Sequence, residues 1–398
     1  MFLMQDGHQA ASRVAPALEQ GSIDGVIWSP GDQTPDGLAA QLNAYAGGSV
    51  VQAIDPQMYV AALQDANPKK LGRHGLFSLP MGSRDYSTRR LEQVVIKVLE
   101  LQGDAPTSHL LSPTVAVSSM GDRSAQVALT LAETSLETWA DIGDDRPLFV
   151  SSAIDRSLLA DEDSVNSLLD ELSALECDGF YLLFELPPRL DPAQLEQHLA
   201  RAMYIVYVLG ELNGYDVWTG YSGLTGYLMR AAGASAFGGG FFQKQQWWAT
   251  SHWTGSGGGR QPRPRIALDT ILGSLLIDAE LGPLLRQRRD ADLAETILLS
   301  RGEMAEDYRA RGSISGAEPD RARMTAQLLA VCRSLDSRIS GDVSADLRRV
   351  REAITDAQEL HRRISAVNVQ LEPDSAPTRL GIFAAAIASF GARAGLTV

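Results

Sequence analysis

Cysteine is almost absent from the 398-residue chain: Cys177 and Cys332 lie far apart, with no CxxC pair and no Cys/His cluster. This excludes a disulfide framework and a structural zinc site of the usual spacing, and it fits a reducing, cytoplasmic setting. No apolar run of about 18 residues occurs, and the opening MFLMQDGHQA has no basic stretch ahead of an apolar one. The expectation is neither secretion nor a membrane span. Also missing are a Walker A loop, GxSxG, HExxH and the GxGxxG dinucleotide fingerprint, whose spacing Gly238-Gly239-Gly240 does not match. No metal or cofactor is therefore specified. Lysine is scarce, limited to Lys69, Lys70, Lys97 and Lys244. The abundance of arginine beside it is as readily a matter of genomic, bacterial-like base composition as of function.

What is present suits a globular protein: 44% of residues are hydrophobic and 21% charged, enough for one large domain and a smaller one. The net charge is -14, but from Leu276 onward 18 acidic residues face 17 basic ones, which leaves -13 on the preceding part. A general nucleic-acid coat is excluded by that sign.

Short apolar runs alternate with amphipathic segments, as in a parallel sheet with crossover helices. Strands are predicted at Phe2 to Gln5, Gly25 to Trp28, Val50 to Ile54, His109 to Val117, Leu148 to Ser152, Gly179 to Phe184, Asp216 to Gly220 and Ala234 to Gly238. Helices come after them, among them Gln9 to Glu19, Pro35 to Tyr45, Ser83 to Leu101, Ser124 to Ala140, Ser164 to Glu176, Pro192 to Leu212 and Leu224 to Ala232. Two units echo each other, with Thr34-Pro35 and Asp191-Pro192 each placing a capping side chain before a proline at the first helical position. An open doubly wound sheet would give the same alternation, but eight units without a hairpin suit a closed barrel better. The order resembles the (β/α)8 TIM-barrel superfamily over residues 1–265, at the level of fold and of no specific family. Asp55 to Gly82 reads as an excursion over one face, with Asn67-Pro68, Gly72 and Pro80 as breakers. From about Leu268 to Arg393 the period is helical, including Asp320 to Arg338 and Ser344 to Val367, so residues 266–398 are expected to form an all-α C-terminal domain.

In such a barrel the chemistry lies at the C-terminal ends of the strands. That rule selects Asp6, Asp55, Asp155 and Glu185 as candidate catalytic carboxylates, with Gln5, His8, Ser29 and Asp32 nearby. Aspartate at a strand end also caps the next helix, whereas Glu185, closing an apolar strand before Pro187-Pro188, is a poor cap. Tyr221 and Ser222, with Gly238, Gly239 and Gly240, fall after the last two strands, where barrels often bind phosphate. Close backbone packing would need the same glycines. Lys244, Arg260, Arg263 and Arg265 could supply countercharge, from a glycine- and proline-rich stretch that serves as a lid or as a plain tether. Trp247 belongs to an aromatic cluster with Phe241, Phe242, Trp248 and Trp253, suited to stacking a sugar or base, or to sealing an interdomain seam.

Two families are set aside on their residues. Asp178 to Glu185 looks like the DGxDxDxE strand of chitinase-like hydrolases, but Tyr181 and Leu183 replace the inner aspartates. A tRNA-guanine-type transglycosylase barrel would need a cysteine-rich zinc element. Two readings remain. One is an enzyme using the carboxylates for acid-base or nucleophilic chemistry, as a hydrolase or in glycosyl transfer, on a small anionic, sugar-phosphate, sugar-bearing or nucleotide ligand. The other is a non-catalytic scaffold whose C-terminal helices bind a protein partner or nucleic acid within a larger complex, with Ile382 to Phe390 available for self-association.

Overall fold

The structure, a computed structural model, describes residues 1–7, 11–60, 63, 71–76, 86–187, 190–254, 263–314 and 319–397. Parallel strands β1 (Phe2–Gln5), β2 (Gly25–Trp28), β3 (Val51–Ile54), β4 (Leu110–Leu111), β5 (Ala116–Val117), β6 (Leu148–Ile154), β7 (Gly179–Phe184), β8 (Asp216–Thr219) and β9 (Ala236–Gly239) curl into a nearly closed barrel. The ladder runs β3-β2-β1-β9-β8-β7-β6-β4, and β5 pairs with the far end of β6. The fourth expected strand is thus split. Pro113 lies between its halves and has no N–H to give the ladder, so β4 and β5 occupy one barrel position in two pieces.

The strands are buried on both faces, which is why they read as continuous apolar runs. Helices α1 (Ala11–Glu19), α2 (Pro35–Ala44), α3 (Thr88–Gly103), α4 (Arg123–Ile142), α5 (Arg156–Ala160), α6 (Glu162–Ser173), α7 (Pro192–Tyr207) and α8 (Thr225–Ala231) wrap the outside. The proline-led starts hold: Thr34 accepts from the Gly37 N–H and Asp191 from the Ala193 N–H. Of the excursion after β3, the short turns Met58–Val60 and Leu71–His74 are described; Asn67, Pro68 and Pro80 lie outside the described residues.

No ladder joins β3 to β4, and side chains finish the ring there. Ser108 donates its N–H to the Gln52 carbonyl at 2.8 Å, while its Oγ accepts the Gln52 N–H at 2.9 Å. At the next step Leu111 turns its peptide away from β6 and pairs with a side-chain amide. Gln102, fully buried, accepts the Leu111 N–H at 2.9 Å and donates to its carbonyl at 2.8 Å, as a neighbouring strand would.

After β9 come two short helices, α9 (Gln243–Gln246) and α10 (Ser251–Thr254), and then a hairpin of β10 (Arg265–Leu268) and β11 (Gly273–Leu276). The hairpin interrupts the helical period at its start; strands of four residues are too short to register as an alternation. It packs with α11 (Gly282–Arg286), α12 (Leu293–Ile297) and α13 (Glu303–Arg311) around its own small core. The remaining helices, α14 (Arg321–Asp336), α15 (Val343–Ala366) and α16 (Thr378–Ala394), lie on the barrel. α14 touches α1, β1 and α8, filling the place between first and last barrel helices that the segment after β9 leaves vacant. Arg333 pairs with Asp24 at 2.5 Å and Arg230 of α8 with Asp336 at 2.7 Å, fastening it on both sides. α16 runs along α7, with Phe390 edge-on to Tyr207. Among the described residues no helix is long and apolar enough to cross a membrane.

Gly25 shows how tightly the ring is drawn. A Cβ there would stand 2.1 Å from the Val51 carbonyl oxygen on the paired strand, which cannot move without breaking the register. Gly25→Ala is expected to lower the unfolding free energy by about 2–4 kcal/mol. Gly103→Ala, whose Cβ meets nothing within 4 Å, should change it by less than about 1 kcal/mol. Urea unfolding of both variants checks the contrast.

Candidate functional site

Asp55 follows β3 and points into the barrel's upper end, buried to 2% exposure. Its Oδ2 is ringed by three phenols: Tyr59 donates at 2.9 Å, Tyr221 at 3.3 Å and Tyr181 at 3.4 Å. Its Oδ1 accepts the Gln57 N–H at 3.0 Å. Tyr181 comes from β7 and Tyr221 from the turn after the neighbouring β8, so two paired strands meet the loop after β3 at one oxygen. Gln5 at the end of β1 shares the one Tyr181 hydroxyl proton with Asp55, its Oε1 lying 3.3 Å from the phenol oxygen, and its fully buried Nε2 has no partner among the described residues. Gln57 joins the loops after β2 and β8, accepting from the Gly31 N–H at 2.9 Å and donating to Tyr221 at 3.1 Å.

Gln57 and Tyr221 both have left-handed backbones, with φ of 55° and 50°. Such a conformation costs a non-glycine residue about 1–2 kcal/mol. That both fall in one network shows the surrounding packing holding these side chains against local preference.

Burial pushes the Asp55 carboxyl up to about 6, opposed by the hydrogen bonds from Gln57 and the tyrosines. Asp6, at the end of β1, is pushed up to about 7 by burial, against hydrogen bonds from Gln33, Ser29 and Gly7 and with the Asp32 charge adding to the rise. Glu185, at the end of β7, also rises to about 7; burial is the main cause, and the neighbouring Asp155 carboxylate adds to it. Asp155 caps α5 through the Ser157 N–H at 2.7 Å while lying against Glu185, so it takes both the capping and the site position.

Segment 247–254 closes the mouth. Trp248 is fully buried and forms an isolated parallel bridge with Glu185, and Thr250 donates to the Glu185 carboxyl at 3.4 Å. Tyr59 meets Trp248 and Trp253 edge-on at 5.5 and 5.4 Å, and Tyr221 meets Trp253 at 6.2 Å. Trp247 sits to the side, its ring 4.1 Å from His252.

The glycines take the packing role. Gly238 faces Gln5 and Ile27, Gly239 backs onto Gly223, and the space above Gly240 is filled by the Gln245 side chain, whose Oε1 accepts the Phe242 N–H. Ser222 gives its hydroxyl to the backbone of Thr219 and Gly220. Among the described residues, the cations Lys244, Arg263 and Arg265 do not gather at this corner. Lys244 reaches the His252 carbonyl at 2.5 Å, Arg263 pairs with Glu372, and Arg265 binds Ser274 and Ser375 at the hairpin. His8 and Arg260 lie outside the described residues. Among the described residues no group of three His, Cys, Asp or Glu side chains is placed to hold a metal ion.

Reading strand ends selected the carboxylates and Tyr221 but passed over Tyr59, Gln57, Tyr181 and Thr250. Tyr181 was open to inference: Gly179, Tyr181, Leu183 and Glu185 alternate along one strand, so an inward Glu185 implies an inward Tyr181. No protein-family model matches the chain, and no curated protein matches it.

Proposed function

We propose that the barrel is an enzyme using Asp55 and Glu185, with Asp6, for acid-base or nucleophilic chemistry on a sugar-bearing substrate. The observation that carries this reading is the Asp55 carboxylate buried at the mouth under three phenolic donors. Such a group can hold its charge next to a developing cation, or attack it, without water competing. Glu185, pushed up to about 7, keeps a proton to donate near neutrality. Two carboxyls driven to different protonation states are what glycosyl transfer requires. Aromatic walls and hydroxyl donors suit a neutral polyhydroxylated ring, whereas the engagement of Arg263 and Arg265 elsewhere weighs against a phosphate as the main handle.

The test is turnover of a panel of nitrophenyl glycosides and nucleosides between about pH 5 and 9. Expected is a bell-shaped profile with limbs near about 6 and 7, loss of kcat by about 10²–10⁴ in Asp55→Asn, and loss of the alkaline limb in Glu185→Gln. Activity that survives Asp55→Asn within a few-fold would sink the reading.

The closed mouth favours a second reading, a scaffold for a protein partner or a nucleic-acid strand engaged through the C-terminal helices. On that reading the Asp55→Asn, Glu185→Gln double variant binds its partner as the parent does, and substitutions on the outer faces of α15 and α16 abolish binding.

A further inference from the structure

We infer that Trp247–Thr254 is a lid over the Asp55 site, latched by the protonated Glu185 side chain and released when Glu185 ionises. The lid meets the barrel in two ways. Aromatic edges of Trp248 and Trp253 rest on Tyr59 and Tyr221, contacts that do not change with pH. At Glu185 the contact is polar, through the backbone bridge to Trp248 and the hydroxyl of Thr250.

With the lid down Glu185 is only 5% exposed and lies against Asp155. A protonated Glu185 can donate to Asp155 and accept from Thr250, which satisfies both neighbours. An ionised Glu185 in the same place, itself buried, faces the partly exposed Asp155 carboxylate, a state that like-charge repulsion and desolvation of Glu185 both disfavour. Lifting the lid returns it to solvent. The preference that burial gives the neutral acid is, by linkage, the preference that ionisation gives the open lid. A carboxyl raised from 4.5 to about 7 shifts the open-to-closed ratio by up to about a hundredfold across that interval.

Among the described residues, the other charged groups around the latch are Arg156 on α5, which favours the ionised form, and His198 and Arg201 on α7 behind Asp155. Burial, with the Arg201 and Arg156 charges, holds the His198 ring below its usual range, against the Asp155 charge that raises it. Within the lid and its approach are His252 and Lys244, joined through the His252 carbonyl. Two buried donors without a partner among the described residues, Gln5 Nε2 and Trp248 Nε1, lie beneath and within the lid, where an incoming ligand would meet them when it opens. The device works whatever reaction lies beneath it.

The test is hydrogen exchange, by mass spectrometry, of peptides covering Trp247–Thr254 in the full chain at about pH 5.5 and 8.5, with times scaled for the intrinsic pH dependence. Expected is a fall in protection of at least about tenfold at the higher pH in the parent. Glu185→Gln should remain protected at both values. Asp155→Asn, which removes the repulsion but not the burial, should lose less protection than the parent between the two pH values, and His252→Gln should leave the parent's loss in place. Equal protection at both pH values in the parent overturns the inference. So does a Glu185→Gln lid that still opens with pH, and Asp155→Asn serves as the independent reading if that variant folds poorly.

Discussion

A chain ended after Arg265 is expected not to fold. Residues 1–265 contain every strand of the barrel, yet the outer layer is incomplete without the C-terminal helices. α14 supplies Leu329 and Cys332 to the same buried cluster as Phe2, Met4, Val14 and Val26, and α15 and α16 cover α7 and α8 through Leu347, Val350, Phe383 and Phe390. Each buried side chain of this size is worth about 1.5–3 kcal/mol. Losing about six such side chains removes about 9–18 kcal/mol, as much as the roughly 5–15 kcal/mol that hold a whole domain together. The truncated chain should be insoluble or lack a cooperative thermal transition, while a chain ending at Gly395 should unfold like the parent. A soluble fragment of residues 1–265 with a sharp transition would show that the ring closes without α14.

Stability should fall as pH rises from about 5 to 8. Asp6 and Asp55 bind their protons more tightly in the folded chain than in the unfolded one, because burial raises them to about 7 and about 6 from an ordinary 3.8. Their contribution is therefore fully present below about pH 4 and is lost as pH climbs through about 6 and 7. Each group accounts for at most about 1.4 kcal/mol per pH unit, and with Asp6 titrating over about two units of this window and Asp55 over about one, the two together should remove about 4 kcal/mol. Glu185 adds less, since release of the lid restores it to water. Most exposed carboxylates are ionised by about pH 5, so general repulsion in this acidic chain is nearly constant over the range. Urea unfolding at about pH 5, 6.5 and 8 reads the slope, and Asp6→Asn should flatten it. Stability rising with pH would mean that the hydrogen bonds from Ser29, Gln33 and the tyrosines outweigh burial.

The barrel was legible because its signals are local. Runs such as Leu148–Ile154 and Gly179–Phe184, with the Asp161 and Asp191 caps after them, announce a strand and then a helix within a few residues. Interruptions within that rhythm were harder to see, as with Pro113 inside the fourth strand and the four-residue strands after Pro264. The place of α14 was not legible at all, since nothing local says that a helix some 80 residues past β9 will complete the ring. The site divides in the same way. Carboxylates at strand ends follow from strand assignment and the rule that barrels work at one end. Tyr59 reaches Asp55 from four residues on in the same loop, whereas only tertiary packing brings Tyr221 to Asp55 and Trp248 to Glu185. Nearness in sequence does not fix where a long cation turns: Arg263 and Arg265 meet Glu372, Ser274 and Ser375.

The seam between β3 and β4 matters for how the molecule behaves among its own copies. An unfinished barrel is a sheet with two free edges, and a free edge presents peptide groups that another chain's strand can join. Here Ser108 occupies the backbone of Gln52, and Gln102 pairs both polar groups of Leu111. Arg146 holds the carbonyls of Gln102, Ala105 and Thr107 just below. A stranger's strand arriving at this seam finds its hydrogen-bonding places taken, so the gap in the ring does not become a site of fibrous growth.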